Sequence, residues 1–96
     1  MLYQSFNYFN DKTLNIKKRE ENKKKFPNCE ALPDGSNKYW FEIEGRNGWK
    51  ARYLKIVDHG EETLAFWQEI YDENGVLVEV HEKYPIDKGH IKLEKQ

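Results

Sequence analysis

The residue types best suited to chemistry fall within one short stretch, Glu79-Val80-His81-Glu82-Lys83-Tyr84-Pro85-Ile86-Asp87-Lys88-Gly89-His90. It holds two of the chain's three histidines, with carboxylates, lysines and a tyrosine. Histidine is the side chain whose ordinary pKa lets it trade a proton near neutral pH. Two histidines sharing the acid and base roles, beside a cation for a developing anion, are what a metal-independent ribonuclease needs. On that reading His81 and His90 carry the proton transfers, assisted by Lys83, Glu79 and Tyr84. The competing reading is a polar strand end whose histidines make only surface hydrogen bonds. A metal site from His81, Asp87 and His90 would give three ligands and an open position. Its His-x5-Asp-x2-His spacing matches no standard pattern, however, and no cysteine pair supports it. Neither a metal nor a cofactor is expected.

Other sites are less promising. His59 lies in a turn beside Gly60 and reads as a solvent-facing turn residue. Cys29 has no neighbouring cation to lower its pKa, which argues against a catalytic thiolate. The sequence has no phosphate-cradling glycine loop and no Gly-x-Ser-x-Gly elbow.

Strand alternation puts Glu79, His81 and Lys83 on one face and Glu82 on the other. Pro85 removes a ladder donor and ends that strand, and Asp87-Lys88-Gly89 can turn the chain so that His90 approaches His81. Period-two patterning extends upstream. Tyr39, Phe41 and Ile43 alternate with Trp40, Glu42 and Glu44. Trp49–Val57, Thr63–Asp72 and Val76–Lys83 follow as further strands. Asn-Gly pairs at Asn47-Gly48 and Asn74-Gly75 close two hairpins, and Asp58-His59-Gly60-Glu61 turns the third. The pattern predicts an antiparallel meander with no parallel crossover. Apolar residues on both faces of some strands, such as Leu54 and Ile56 opposite Tyr53 and Val57, predict cover on both faces of the sheet.

The first third is less regular. Tyr3–Phe9 and Thr13–Arg19 read as a hairpin around Asn10-Asp11-Lys12, with a short helix near residues 20–26. A helix over all of Thr13–Lys25 is the alternative, but its apolar face before Phe26 would be only Leu14 and Ile16. The expected fold is therefore β-rich, α+β at most. It is a single domain of about six strands in a curved sheet or small half-open barrel: a basic segment at 1–26, a loop at 27–37, the meander at 38–84 and a tail at 85–96.

Charge is unevenly spread. Residues 1–28 carry seven basic and three acidic side chains, residues 29–96 nine and fourteen, although the whole chain sums to −1. Lys17, Lys18, Arg19, Lys23, Lys24 and Lys25 could meet an anion such as RNA, with Tyr39, Trp40 and Trp49 as stacking platforms. A solvated charged face is the plainer reading, and a pI near 6.3 is low for a dedicated nucleic-acid binder.

Composition sets the outer bounds. With 96 residues, 34% charged and 38% hydrophobic, a multidomain enzyme, a membrane span and a low-complexity chain are excluded. Fourteen aromatic residues, 15% of the chain, must supply much of the core. A lone cysteine builds no disulfide framework, and the N-terminus lacks a signal-peptide pattern, so a soluble cytoplasmic protein is expected. The function these features favour is a small binding or interaction module taking a protein or RNA partner, with no membrane role and with homodimerisation open through edge-strand pairing. The alternatives are a small toxin-type ribonuclease-like hydrolase and, more weakly, a metal-binding hydrolase.

Overall fold

The computed structural model describes residues 16–93. Six strands form one antiparallel sheet in sequential order: β1 (Asn28–Ala31), β2 (Asn37–Glu44), β3 (Lys50–Val57), β4 (Thr63–Tyr71), β5 (Leu77–Tyr84) and β6 (Gly89–Lys92). β1 and β6 are its edges, so the meander is an open sheet and not a barrel. No helix among the described residues is long and apolar enough to cross a membrane.

Two of the six strands are not those the alternation pointed to. Residues 16–25 are helical, which bears out the short helix expected near 20–26 and corrects, from residue 16 on, the strand expected over Thr13–Arg19; residues 13–15 and Tyr3–Phe9 lie outside the described residues. The helix lacks a wide apolar face because it needs little of one. Asn22 and Phe26, one turn apart, are its buried contacts, only 4% and 5% exposed. Phe26 N–H donates to the Asn22 carbonyl at 2.8 Å and closes the last turn. β1 falls within the expected loop at 27–37, and β6 within the expected tail.

Four of the five connections carry an aspartate that accepts from the backbone N–H two residues on. Asp34 receives Ser36 at 3.0 Å, while Asp58, Asp72 and Asp87 receive Gly60, Asn74 and Gly89 at 2.9 Å. This side-chain mimic of a turn fixes each reversal. The β2–β3 turn instead passes through Asn47 and Gly48 in left-handed conformation, φ 59 and 79, as Asn-Gly pairs favour.

The sheet has two unlike faces. On the helix side Phe26 enters between Tyr39, Phe41 and Phe66, with ring centroids 6.0, 5.4 and 6.4 Å away. Phe26, Tyr39 and Val57 form the buried cluster. Burying a phenylalanine contributes roughly 1.5–3 kcal/mol, so this one side chain is the main apolar anchor of the helix. Among the described residues the far face is covered by its own side chains. Trp40, Leu54 and Trp67 stand in register across β2, β3 and β4, and Leu54 between the two tryptophans is 4% exposed. Beside them Arg52 bonds Glu42 and lies over Tyr71, whose hydroxyl donates to Glu69 at 2.6 Å. Long amphipathic side chains lying on the sheet thus shield the apolar atoms that the sequence suggested another layer would cover.

Candidate functional site: an aromatic groove beside a histidine pair

One register row crosses the helix-side face from β2 to β6: Phe41, Tyr53, Gln68, His81, His90. At its aromatic end Phe41 and Tyr53 stack at 4.9 Å with an interplanar angle of 15°, and Phe66 lies 6.4 Å from Tyr53. In mid-row Gln68 Nε2 donates to the Tyr53 hydroxyl at 3.0 Å. At the sheet edge His81 and His90 are direct cross-strand partners with ring centroids 4.3 Å apart.

The histidine end is laced by carboxylates. His81 Nε2 lies 2.6 Å from Asp87 Oδ1, and His90 Nδ1 lies 2.8 Å from Glu79 Oε2. The backbone N–H of Gly89, and after it the His81 bond, hold the Asp87 carboxyl below its ordinary 3.8. His81 Nδ1 is buried without a partner. Placing a proton there would bury an unbonded N–H, so the fitting tautomer carries its hydrogen on Nε2 and donates it to Asp87. His81 therefore has one nitrogen buried and the other bonded to Asp87, whereas the half-exposed His90 keeps its Nε2 outside the Glu79 bond.

The other residues expected to act with the histidines sit elsewhere on the same face. The β4–β5 register skips Lys83, pairing Phe66 with Tyr84 and Trp67 with Glu82. Such a bulge re-aims side chains, and here Lys83 and Tyr84 both reach the aromatic end. Lys83 Nζ lies 5.1 Å over the Tyr53 ring and 5.8 Å over that of Phe66, while Tyr84, 47% exposed, lines the rim. Glu79, His81 and His90 are together; Lys83 and Tyr84 belong to the groove. Among the described residues no group of three or more histidine, cysteine or acidic side chains is arranged to hold a metal ion, His81, Asp87 and His90 included.

Between the end of the helix and the sheet lies an open groove of about 730 Å³. Phe41, Tyr53 and Phe66 form its floor, with Phe26 at one wall and Lys25 and Lys55 beside it. Lys55 Nζ donates to Asn22 Oδ1 at 2.8 Å and lies 5.9 Å over the Phe26 ring. Behind the groove Tyr39 donates its hydroxyl to Glu61 at 2.6 Å. Burial and that carboxylate raise the Tyr39 phenol well above its ordinary 10.0.

The basic residues Lys17, Lys18, Arg19, Lys23, Lys24 and Lys25 all ride on the helix. Lys18 is bound to Glu62, and Lys25 reaches the groove. The aromatics expected as platforms lie away from these lysines or are buried. Tyr39 is 1% exposed, Trp40 is on the far face, and Trp49 at a hairpin end donates to Glu73 at 2.6 Å. Phe41, Tyr53 and Phe66 meet at the groove instead, and their strand spacing marked one face but not that meeting. Cys29 is a free thiol exposed on edge strand β1.

Compared with models of protein families, with curated proteins and with solved structures, the chain matches none.

Proposed function

We propose that the protein is a small binding module whose working surface is the helix-side face, and that its groove takes an anionic ligand carrying a flat unsaturated ring. The carrying observation is the meeting of a stacked ring floor with Lys25, Lys55 and Lys83. Flat rings gain from offset stacking on aromatic floors, and the lysines supply the opposite charge in a partly desolvated setting, where it counts for more than in bulk water. Ligand sites generally pair an apolar lining with a few converging polar groups in this way. The test is calorimetric titration with 2-naphthalenesulfonate. Wild type should bind, and Lys83→Ala should bind several-fold more weakly; equal binding by the two, or none by either, contradicts the reading.

A second reading is favoured by the row that runs from this groove to His81 and His90. In it the protein is a metal-independent, ribonuclease-type hydrolase. His90, positioned by Glu79, takes the attacking hydroxyl's proton through Nε2 and returns it to the leaving oxygen, and His81 acts as a positioning residue fixed by Asp87. Incubation of pure protein with RNA, with and without chelator, decides it. Cleavage that survives chelation and is lost in His90→Ala supports the hydrolase; RNA left intact by wild type removes it.

A further inference from the structure

Lys25 and Lys55 stand where two cavities meet. Both line the aromatic groove, and both line a depression of about 400 Å³ along the helix flank, with Glu21, Asn22 and Lys24. Burial, and then the nearby charge of Lys25, hold the Lys55 ammonium below its ordinary range, while Glu61 and Glu21 act in the opposite sense. Its hydrogen bond goes to the neutral amide of Asn22. Among the described residues no carboxylate is in ion-pair contact with Lys25 or Lys55. The acid at the groove rim, Glu62, is held by Lys18. Two ammonium groups lining the same two cavities without a bound counter-ion favour an anion there, since it turns their repulsion into attraction.

We propose that this junction holds a phosphate of a single-stranded nucleic acid, with one base taking the place of the Lys83 ammonium over the Tyr53 and Phe66 rings and the adjoining nucleotide along the helix flank past Lys24. The inference rests on the reading of the groove as a site for an anion bearing a flat ring. Three observations choose this ligand class. A simple anion would gain nothing from the apolar floor. A mononucleotide would leave empty the cavity on the other side of the lysine pair, whereas a strand continues through both. A duplex keeps its bases stacked on one another, and only an unpaired base can lie on protein rings. The basic helix residues Lys23 and Lys24 carry the positive surface onward from the junction.

Fluorescence anisotropy with a labelled eight-nucleotide single-stranded RNA tests the proposal. Binding should weaken with salt, with a log–log slope of about −0.7 for each phosphate neutralised. Lys25→Ala, at an exposed position that leaves the fold intact, and Lys55→Gln should each weaken binding and flatten that slope by about 0.7. Tyr53→Leu should weaken binding about tenfold, the loss of one stacked base, with the slope unchanged. A hairpin duplex that binds as tightly as the single strand overturns the proposal. So does a Lys25→Ala protein that binds with wild-type affinity and slope. If 2-naphthalenesulfonate binds and the RNA does not, the nucleic-acid assignment falls and the groove reading stands. If neither binds, both fall.

Discussion

His81 and His90 face one another across β5 and β6 with ring centroids 4.3 Å apart, and each is tied to a carboxylate from the opposite side of the pair. His90 on β6 bonds Glu79 on β5, and His81 on β5 bonds Asp87 in the turn leading to β6. The bonds cross the strand boundary in both directions. They make this pair the side-chain fastening of a four-residue edge strand that has only one neighbour.

Asp87 is the first lever on that fastening. Its folded carboxyl is held below 3.8 by Gly89 N–H and His81. A depressed acid contributes stability above its unfolded value and loses it as pH falls through the folded value. Asp87→Asn should therefore destabilise the protein at neutral pH. The difference from wild type should close as the medium is acidified well below 3.8. Urea midpoints at the two acidities check this; a difference that persists unchanged in acid contradicts it.

Tyr39 and Glu61 predict the alkaline limb. Glu61 is 4% exposed, and its Oε2 is buried with no partner, so the Tyr39 hydroxyl is the bonded contact of that carboxylate. Tyr39→Phe leaves the carboxylate buried without it and should cost about 2–3 kcal/mol at neutral pH. A phenol raised in the folded state contributes stability that is complete below its ordinary 10.0 and lost as pH rises beyond it. Tyr71, pushed up to about 12 by burial and by Glu69, acts in the same direction. The wild type should lose stability above pH 10.0, and Tyr39→Phe should lose less over that range. Denaturant midpoints across alkaline pH measure both slopes, and equal slopes would sink the assignment.

Phe26 carries the attachment of the helix. Phe26→Ala removes the ring that touches Tyr39, Phe41 and Phe66. It should cost about 3–5 kcal/mol, as large-to-small changes at aromatic core positions do. Far-UV circular dichroism should show loss of helical signal before the sheet melts. A variant of unchanged stability and helicity would show that the helix is held elsewhere.

These contacts mark how far the sequence could be read. The four long strands were legible because Tyr39-Phe41-Ile43 and its successors alternate, and because Asn47-Gly48 and Asn74-Gly75 fix where they turn. The short helix near 20–26 was legible, but its extension back to residue 16 was not, because its anchor is one aromatic at its end and one asparagine, a pattern that leaves no apolar stripe. β1 was hidden because all four of its residues are exposed and only the register of β2 makes them a strand. The approach of His90 to His81 was legible from Pro85 and the Asp87-Lys88-Gly89 turn. The groove was not, since Phe41, Tyr53 and Phe66 come from three strands and only cross-strand pairing, with a bulge at Lys83, assembles them.

Two glycines with similar backbone angles should respond differently to a methyl group. Gly48 and Gly75 both have positive φ, 79 and 78, so alanine is strained at either. At Gly48 the new Cβ would also stand 3.3 Å from the Glu73 Cβ, whereas nothing lies within 4 Å at Gly75. Gly75→Ala should cost about 1 kcal/mol and Gly48→Ala more. Equal losses in thermal denaturation would contradict the crowding at Gly48.

If the helix-side face is the working surface, a bound ligand perturbs its residues and leaves the tryptophan face unchanged. Nitrogen–proton NMR mapping with 2-naphthalenesulfonate tests it most directly, because it reports position independently of affinity. Shifted amides should cluster around Phe41, Tyr53, Lys55, Phe66 and Lys83, while the indole N–H signals of Trp40 and Trp67, whose side chains stand on the far face, stay unmoved. Shifts centred on that tryptophan face, or spread evenly over the sheet, would contradict it.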